Sequence, residues 1–320
     1  MPNFRIKSFG EFKSPVEQDS AQELDASTLE YIKAELREVA PEMEGFYHDM
    51  HENPELGGEE VETGKRIGAR LQEMGVEILK EGINGGGLIA IVRGKEGGPT
   101  IALRADMDAL PIQERAENSP RSKKDGVAHM CGHDIHTASL LGAAHIFKDL
   151  AAQEKLDGDV VLVFQPSEEK AHQKASGASR MVARLLQMGY MGEGGKIDAF
   201  FGAHVMREMP RGIVNVKEGV QLASSGEVDI KLKTKGGHIM NAFEVPNLHL
   251  IFSEITMRLS EVFKPLYEKN EALVASARTA YGGTGYNVLP AEAKATWVVV
   301  KAKLKCHTCC CVFSLKSARI

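Results

Sequence analysis

No stretch of about 18 or more apolar residues occurs in this chain, so hydropathy offers no transmembrane helix. Charge of one sign is missing too. With 39 Lys and Arg against 44 Asp and Glu the net charge is −5, which gives no electrostatic footing for nucleic acid or an anionic membrane. The opening segment MPNFRIKSFGEFKSPVEQDSAQELD mixes both charge signs and has no apolar core, so it is not expected to act as a secretory signal. Cysteine is scarce where it would staple a fold. Cys131 stands alone in the body, while Cys306, Cys309, Cys310 and Cys311 crowd the end, so no disulfide framework is expected and a reducing, cytoplasmic compartment is.

What is present is a core. At 320 residues and 43% hydrophobic, the chain has apolar surface enough for two domains without a structural metal. The first thirty residues read as a loose surface segment. From Ser27, Leu29, Ile32, Leu36 and Val39 recur at helical spacing, with Pro41 expected to break the pattern. Glu59 to Met74 reads as a second helix, with Val61, Ile67, Leu71 and Met74 on one face and Gly75 at its end. Leu88–Val92, Thr100–Leu103, Asp159–Phe164 and Ile197–Phe201 are short apolar runs that read as buried strands. Between them, Asp134 to Gln153 (with Asp134 as its cap) and Ala178 to Met188 read as helices. This alternation predicts an α/β domain with a largely parallel sheet and helices on both faces. After Arg211 the pattern becomes strand-like alternation at Glu227–Thr234, Ala272–Ala277 and Lys294–Lys305, with a helix over Leu248–Phe263. That is a smaller α+β domain. The expected division is a tail at 1–26, a catalytic domain at 27–211, a second domain at 212–304 and a Cys-rich tail at 305–320.

In an open α/β sheet, ligands bind beyond the carboxyl ends of the strands. The segments that follow the strands here are Arg104-Ala-Asp106-Met-Asp108, Gln165-Pro-Ser-Glu168-Glu169 and Gly202-Ala-His204. His129-Met-Cys131-Gly-His133-Asp134-Ile-His136 precedes the long helix. Taken singly, Glu168-Glu169 reads as a solvated loop, Asp106 and Asp108 as turn formers, and His204 as an ordinary satisfied histidine. Taken together they bring imidazole, thiol and carboxylate to one rim. That donor mix suits zinc or another first-row divalent ion better than magnesium or calcium. With two glutamates side by side, one can bind metal while the other serves as general acid/base. The chemistry this suggests is metal-assisted hydrolysis of an amide.

The segments HENPELGGEEVET, LRADMDALPIQE, HMCGHDIHTASLLGAA, FQPSEE, GAHV, KGGH and GGTGYNVLP fall in order over roughly residues 40–300. Through them the chain resembles the M20 metallopeptidases, in the amidohydrolase branch that holds hippurate and auxin-conjugate hydrolases. The resemblance implies a zinc-exopeptidase-like catalytic domain and a lid domain that also dimerises. It implies that Cys131, His133, Glu169 and His204 bind a pair of divalent ions (Zn, Mn or Co), with Glu168 moving the proton from the bridging water to the leaving amine. Asp106 and Asp108 would orient those ligands from behind. In the lid, His238 would polarise the scissile carbonyl across a homodimer, and Asn287 would meet the carboxylate end of a small N-acyl amino acid.

Departures from the family pattern stand beside these matches. His-Met-Cys replaces His-Ala-Cys, Lys170-Ala-His-Gln-Lys-Ala-Ser replaces a glycine-rich stretch, and Ile239-Met-Asn-Ala-Phe-Glu replaces a proline-and-histidine segment. Val299-Val300-Lys301 stands where an arginine is usual. The likeness stops near Val300, before the return that supplies a last metal ligand, for which His307 is a poor substitute. A truncated, catalytically silent member that associates through its lid is therefore the alternative reading. A third reading, the Cys-rich tail as a zinc or redox module, lacks a second ligand pair at finger spacing.

Overall fold

The structure is a computed structural model. It describes residues 5–8, 25–115, 117, 119–170, 176–207, 210, 212–216, 224–268, 273–283, 285–301 and 312–313. The chain divides into two compact units, Met1–Glu218 with Thr308–Ile320, and Gly219–His307.

The first unit runs β1 (Arg5–Ser8), α1 (Ala26–Glu52), α2 (Val61–Glu73), β2 (Glu77–Ile83), β3 (Gly87–Val92), β4 (Thr100–Asp106), α3 (His133–Ala152), β5 (Asp159–Gln165), α4 (Gly177–Gln187), β6 (Ile197–Gly202) and β7 (Ile213–Val216). Its main sheet has the order β2-β3-β5-β4-β6. Strands β5, β4 and β6 run parallel, while β3 is antiparallel to both β5 and β2. The antiparallel edge follows from the short turn after Ile83, which allows only a hairpin where a parallel neighbour needs a long crossover.

Strand alternation divides the core in two. Leu88, Ala90 and Val92 of β3 and Val160, Leu162 and Phe164 of β5 face one layer, which also contains Val39, Ile67, Leu71, Leu140 and Leu141 from α1, α2 and α3. Ile89, Ile91, Val161 and Val163 face the other layer, against Met181 and Leu185 of α4. Helices thus cover both faces, because every residue of β3 and nearly every residue of β5 must be buried.

The second unit contains β8 (Ser224–Lys233), β9 (Gly237–His238), α5 (Leu248–Glu268), β10 (Leu273–Gly282), β11 (Val288–Leu289) and β12 (Glu292–Lys301). Its antiparallel sheet has the order β10-β12-β8, and α5 buries Leu248 and Phe252 against Ala293 and Ala295 on one face. The short β13 (Val312–Phe313) and β1 flank β7 in a small sheet of the first unit.

Three local expectations need correction. Pro41 does not break the first helix, which continues from Ala26 to Glu52. Proline removes one backbone donor, but Val39, Met43 and Met50 keep that stretch packed on the core. Asp134 does not cap α3: the cap is Gly132, and Asp134 lies buried in the first turn with its carboxylate on His51 Nδ1 at 2.6 Å. The opening thirty residues are not uniformly loose. Residues 5–8 pair with 213–216, and Asp25 caps α1 by accepting from the Thr28 amide at 2.9 Å. Ala272, residues 302–305 and the cysteine cluster with His307 lie outside the described residues.

Candidate metal centre

The parallel pairing of β4 with β5 places Asp106 opposite Gln165, and that of β4 with β6 places Arg104 opposite Gly202. The loops that leave these three strands therefore start side by side. The turn into α3 joins them through Gly132, which has φ 85° and sits so close to Val205 that an added Cβ would meet its Cγ2 at 2.2 Å. Only glycine fits there, and it sets Cys131 and His133 on either side of the turn.

Three ligand atoms from Cys131, His133 and His204 lie within 4.8 Å of one another. The Cys131 Sγ to His204 Nε2 distance is 3.5 Å. Each imidazole is oriented from behind. His133 Nδ1 donates to the Asp108 carbonyl at 2.8 Å, with Asp108 Oδ1 at 3.2 Å, and His204 Nδ1 donates to the Val205 carbonyl at 2.7 Å. In both rings this leaves Nε2 as the atom facing the site. His133 Nε2 is buried and makes no hydrogen bond, with Asp106 Oδ2 3.5 Å and Glu169 Oε1 4.0 Å from it. Ligand atoms of Glu168, Glu169 and His133 form a second group within 4.8 Å.

In the sequence His136 stands only as a neighbour of the ligand pair, and its geometry assigns it a different task. Its Nδ1 donates to Asp106 Oδ1 at 2.6 Å and its Nε2 accepts from the Val205 amide at 2.8 Å. With both nitrogens engaged, it has none left for a metal. Asp106 in turn takes Arg104 Nη1 on its other oxygen at 2.7 Å. Asp108 holds the glutamate loop: its Oδ1 and Oδ2 accept from the Glu168 and Glu169 amides, each at 3.0 Å.

The electrostatics call for positive charge. Burial opposes protonation of His133, yet Asp108 on its Nδ1, the neighbouring Cys131 sulfur and the charge of Asp106 raise its affinity for a proton overall. The Cys131 partner likewise raises His204, while His133 and His204 pull the Cys131 thiol below its ordinary value. Burial, with the Asp106 and Glu169 charges, pushes Glu168 up, as a carboxyl that must carry a proton requires. Thiolate, imidazole and carboxylate donors around an orphaned Nε2 fit a d-block divalent cation.

Burial also opposes ionisation of Asp106, but His136, Arg104 and His133 hold its pKa well below the usual carboxylate range. Its folded pKa lies below the unfolded one, so its stabilisation is present above about pH 4 and is lost as pH falls further. The gap in urea midpoint between wild type and Asp106→Asn should therefore be widest near neutrality and close in acid. A gap that stays constant with pH would contradict this electrostatic role.

His238 and Asn287 belong to the second unit. His238 is exposed in β9, pairs with Val288, and accepts from the Met240 amide on Nδ1 at 3.3 Å. The Ile239 amide donates to the Asn287 carbonyl at 3.0 Å. These two residues are thus brought together within their own unit.

The fold and donor set define an α/β protein with a metal-ligand cluster at the carboxyl ends of its strands. The sequence model of peptidase family M20/M25/M40 matches residues 102–309, and the chain belongs to that family. It is 38% identical over 250 residues to an N-acetylcysteine deacetylase of Bacillus subtilis, covering 77% of this chain and 61% of the relative. It is 39% identical over 249 residues to the IAA-amino acid hydrolase ILR1-like 4 of Arabidopsis thaliana, covering 78% and 53%. Among solved structures, a Bacillus subtilis protein, YXEP, described as a dinuclear metal binding peptidase from the M20 family, matches with a TM-score of 0.60 at 32% identity, covering 83% of this chain and 66% of that one. The chain therefore spans between half and two thirds of these relatives' lengths. Among the described residues no helix is long and apolar enough to cross a membrane.

Proposed function

We propose that this chain carries the metal site of an amidohydrolase that cleaves the amide bond of small N-acyl amino acids. The observation that carries the reading is the meeting of Cys131 Sγ with the outward Nε2 atoms of His133 and His204, beside Glu168 and Glu169. In this reading Cys131, His133, Glu169 and His204 hold two divalent ions, of zinc, manganese or cobalt. When bound, the ions lower the pKa of a water and polarise the substrate carbonyl. Glu168 would take the proton of the attacking water and pass it to the leaving nitrogen. Asp108 and Asp106 keep the ligand side chains aimed. His238, reaching across from a second copy, would hydrogen-bond the carbonyl oxygen, Asn287 would meet the substrate carboxylate, and the second unit would pair the two copies in the cytoplasm. The names of the two relatives, an N-acetylcysteine deacetylase and an IAA-amino acid hydrolase, support the substrate class.

The alternative is that the chain binds metal incompletely and acts through association of its second unit. One experiment separates the two. Metal content per chain is measured on the purified protein, and hydrolysis of an N-acyl amino acid panel is assayed on the same sample. Two equivalents with turnover are expected. At most one equivalent without turnover would replace the first reading by the second.

A further inference from the structure

We propose that Glu60 is a positioning residue that, together with Asp108, sets the conformation of the Ser167–Glu169 loop and so the place of its two carboxylates. Glu60 looks like one of a run of surface acids at the start of α2, yet it is 0% exposed. Its side chain leaves its own helix end uncapped and crosses to a loop 107 residues away. There Oε1 accepts from the Ser167 amide at 2.6 Å, while Oε2 accepts from the Gly58 amide at 2.6 Å.

Three consecutive amides, those of Ser167, Glu168 and Glu169, are thus each held by a carboxylate oxygen, the first by Glu60 and the others by Asp108. Ser167 needs such a hold. It has φ 51°, in the left-handed region that a side chain disfavours, and the next two residues carry the acid/base and ligand carboxylates. Relaxation of Ser167 toward ordinary φ would swing both glutamates. Asn84 completes the brace from the β2–β3 turn, where its Nδ2 donates to Ser167 Oγ at 2.9 Å. Gly57 allows the close approach, since a Cβ there would lie 3.0 Å from Asp108 Oδ2 and 3.1 Å from the Ser167 Cα.

The position demands a carboxylate. Two backbone donors each require an acceptor, and a carboxamide offers one acceptor and one donor. Glu60→Gln must therefore lose one of the two bonds in a buried place, and Glu60→Asp, shorter by one methylene, cannot span both. The first measurement is hydrogen exchange of the metal-free chain over residues 164–170. Both variants should exchange at the Ser167, Glu168 and Glu169 amides about tenfold faster than wild type, with distant core peptides unchanged. The second is titration with Co(II), in which both should bind about tenfold more weakly or worse, with an altered ligand-field spectrum.

A general loss of stability with wild-type exchange in this loop and a wild-type cobalt spectrum would overturn the proposal. Should Glu60→Gln not fold, Glu60→Asp decides by the same criteria. The consequence for metal rests on the hydrolase reading, whereas the loop conformation does not. If wild type binds no cobalt, that reading fails by itself, and the exchange result alone decides whether Glu60 sets the loop.

Discussion

Asp108→Ala is expected to cost the first unit roughly 3–5 kcal/mol of folding stability, as breaking a buried charged network does, and to leave the purified chain without its metal. Asp108 is 1% exposed, and its carboxylate is shared among the amides of Glu168 and Glu169 and the ring of His133. Truncation leaves two part-buried donors without their acceptor, each costing up to about 1–3 kcal/mol. It also removes the charge that helps orient His133, although the Asp108 backbone carbonyl remains on Nδ1. Asp108→Asn should be milder in stability, because one oxygen still accepts, but it cannot serve both glutamate amides. Urea midpoints and metal analysis of the two variants test this. Metal retained at wild-type level in Asp108→Ala would show that the residue does not organise the site.

On the hydrolase reading, Glu168→Gln should lower turnover by about 10²–10⁴-fold while metal content stays at the wild-type level. The two adjacent glutamates differ in what surrounds them. Burial and nearby negative charge push Glu168 toward carrying a proton, whereas Glu169 Oε1 stands 4.0 Å from His133 Nε2, which makes no hydrogen bond. Glu169→Gln should accordingly show the opposite pattern, with metal lost first and turnover following it. Paired assays of hydrolysis and metal stoichiometry distinguish the two roles. Equal metal loss in both variants would mean that Glu168 is also a ligand and that the proton is handled elsewhere.

Much of this arrangement is visible in the chain before folding. The apolar runs of β3, β4 and β5 and the stripe of α3 are long enough to commit to their elements, because faces packed into the core are built mainly of apolar residues. The loops that follow those runs carry the thiol, imidazoles and acids, and strand-end placement alone suffices to group them. Periodicity is less informative where packing outweighs local preference. Pro41 stays inside α1 because the residues around it are anchored in the core. The β2–β3 hairpin is not legible in the sequence because β2 is half exposed, with an irregular pattern and two register shifts.

The sequence by itself determined the α/β layering, the order of the ligand-bearing loops and the membership in a metallopeptidase family. Only the tertiary structure decided which of those polar residues are free to act. His133 and His136 are three residues apart on α3 and chemically identical. The Val205 amide occupies Nε2 of one, while the other has no hydrogen-bond partner at that atom. Glu59 and Glu60 are likewise adjacent and alike, yet one remains in solvent and the other is buried on Ser167. A side chain's charge and reach are local properties, but its availability depends on which distant backbone groups need a partner, and that is settled only when the chain closes on itself.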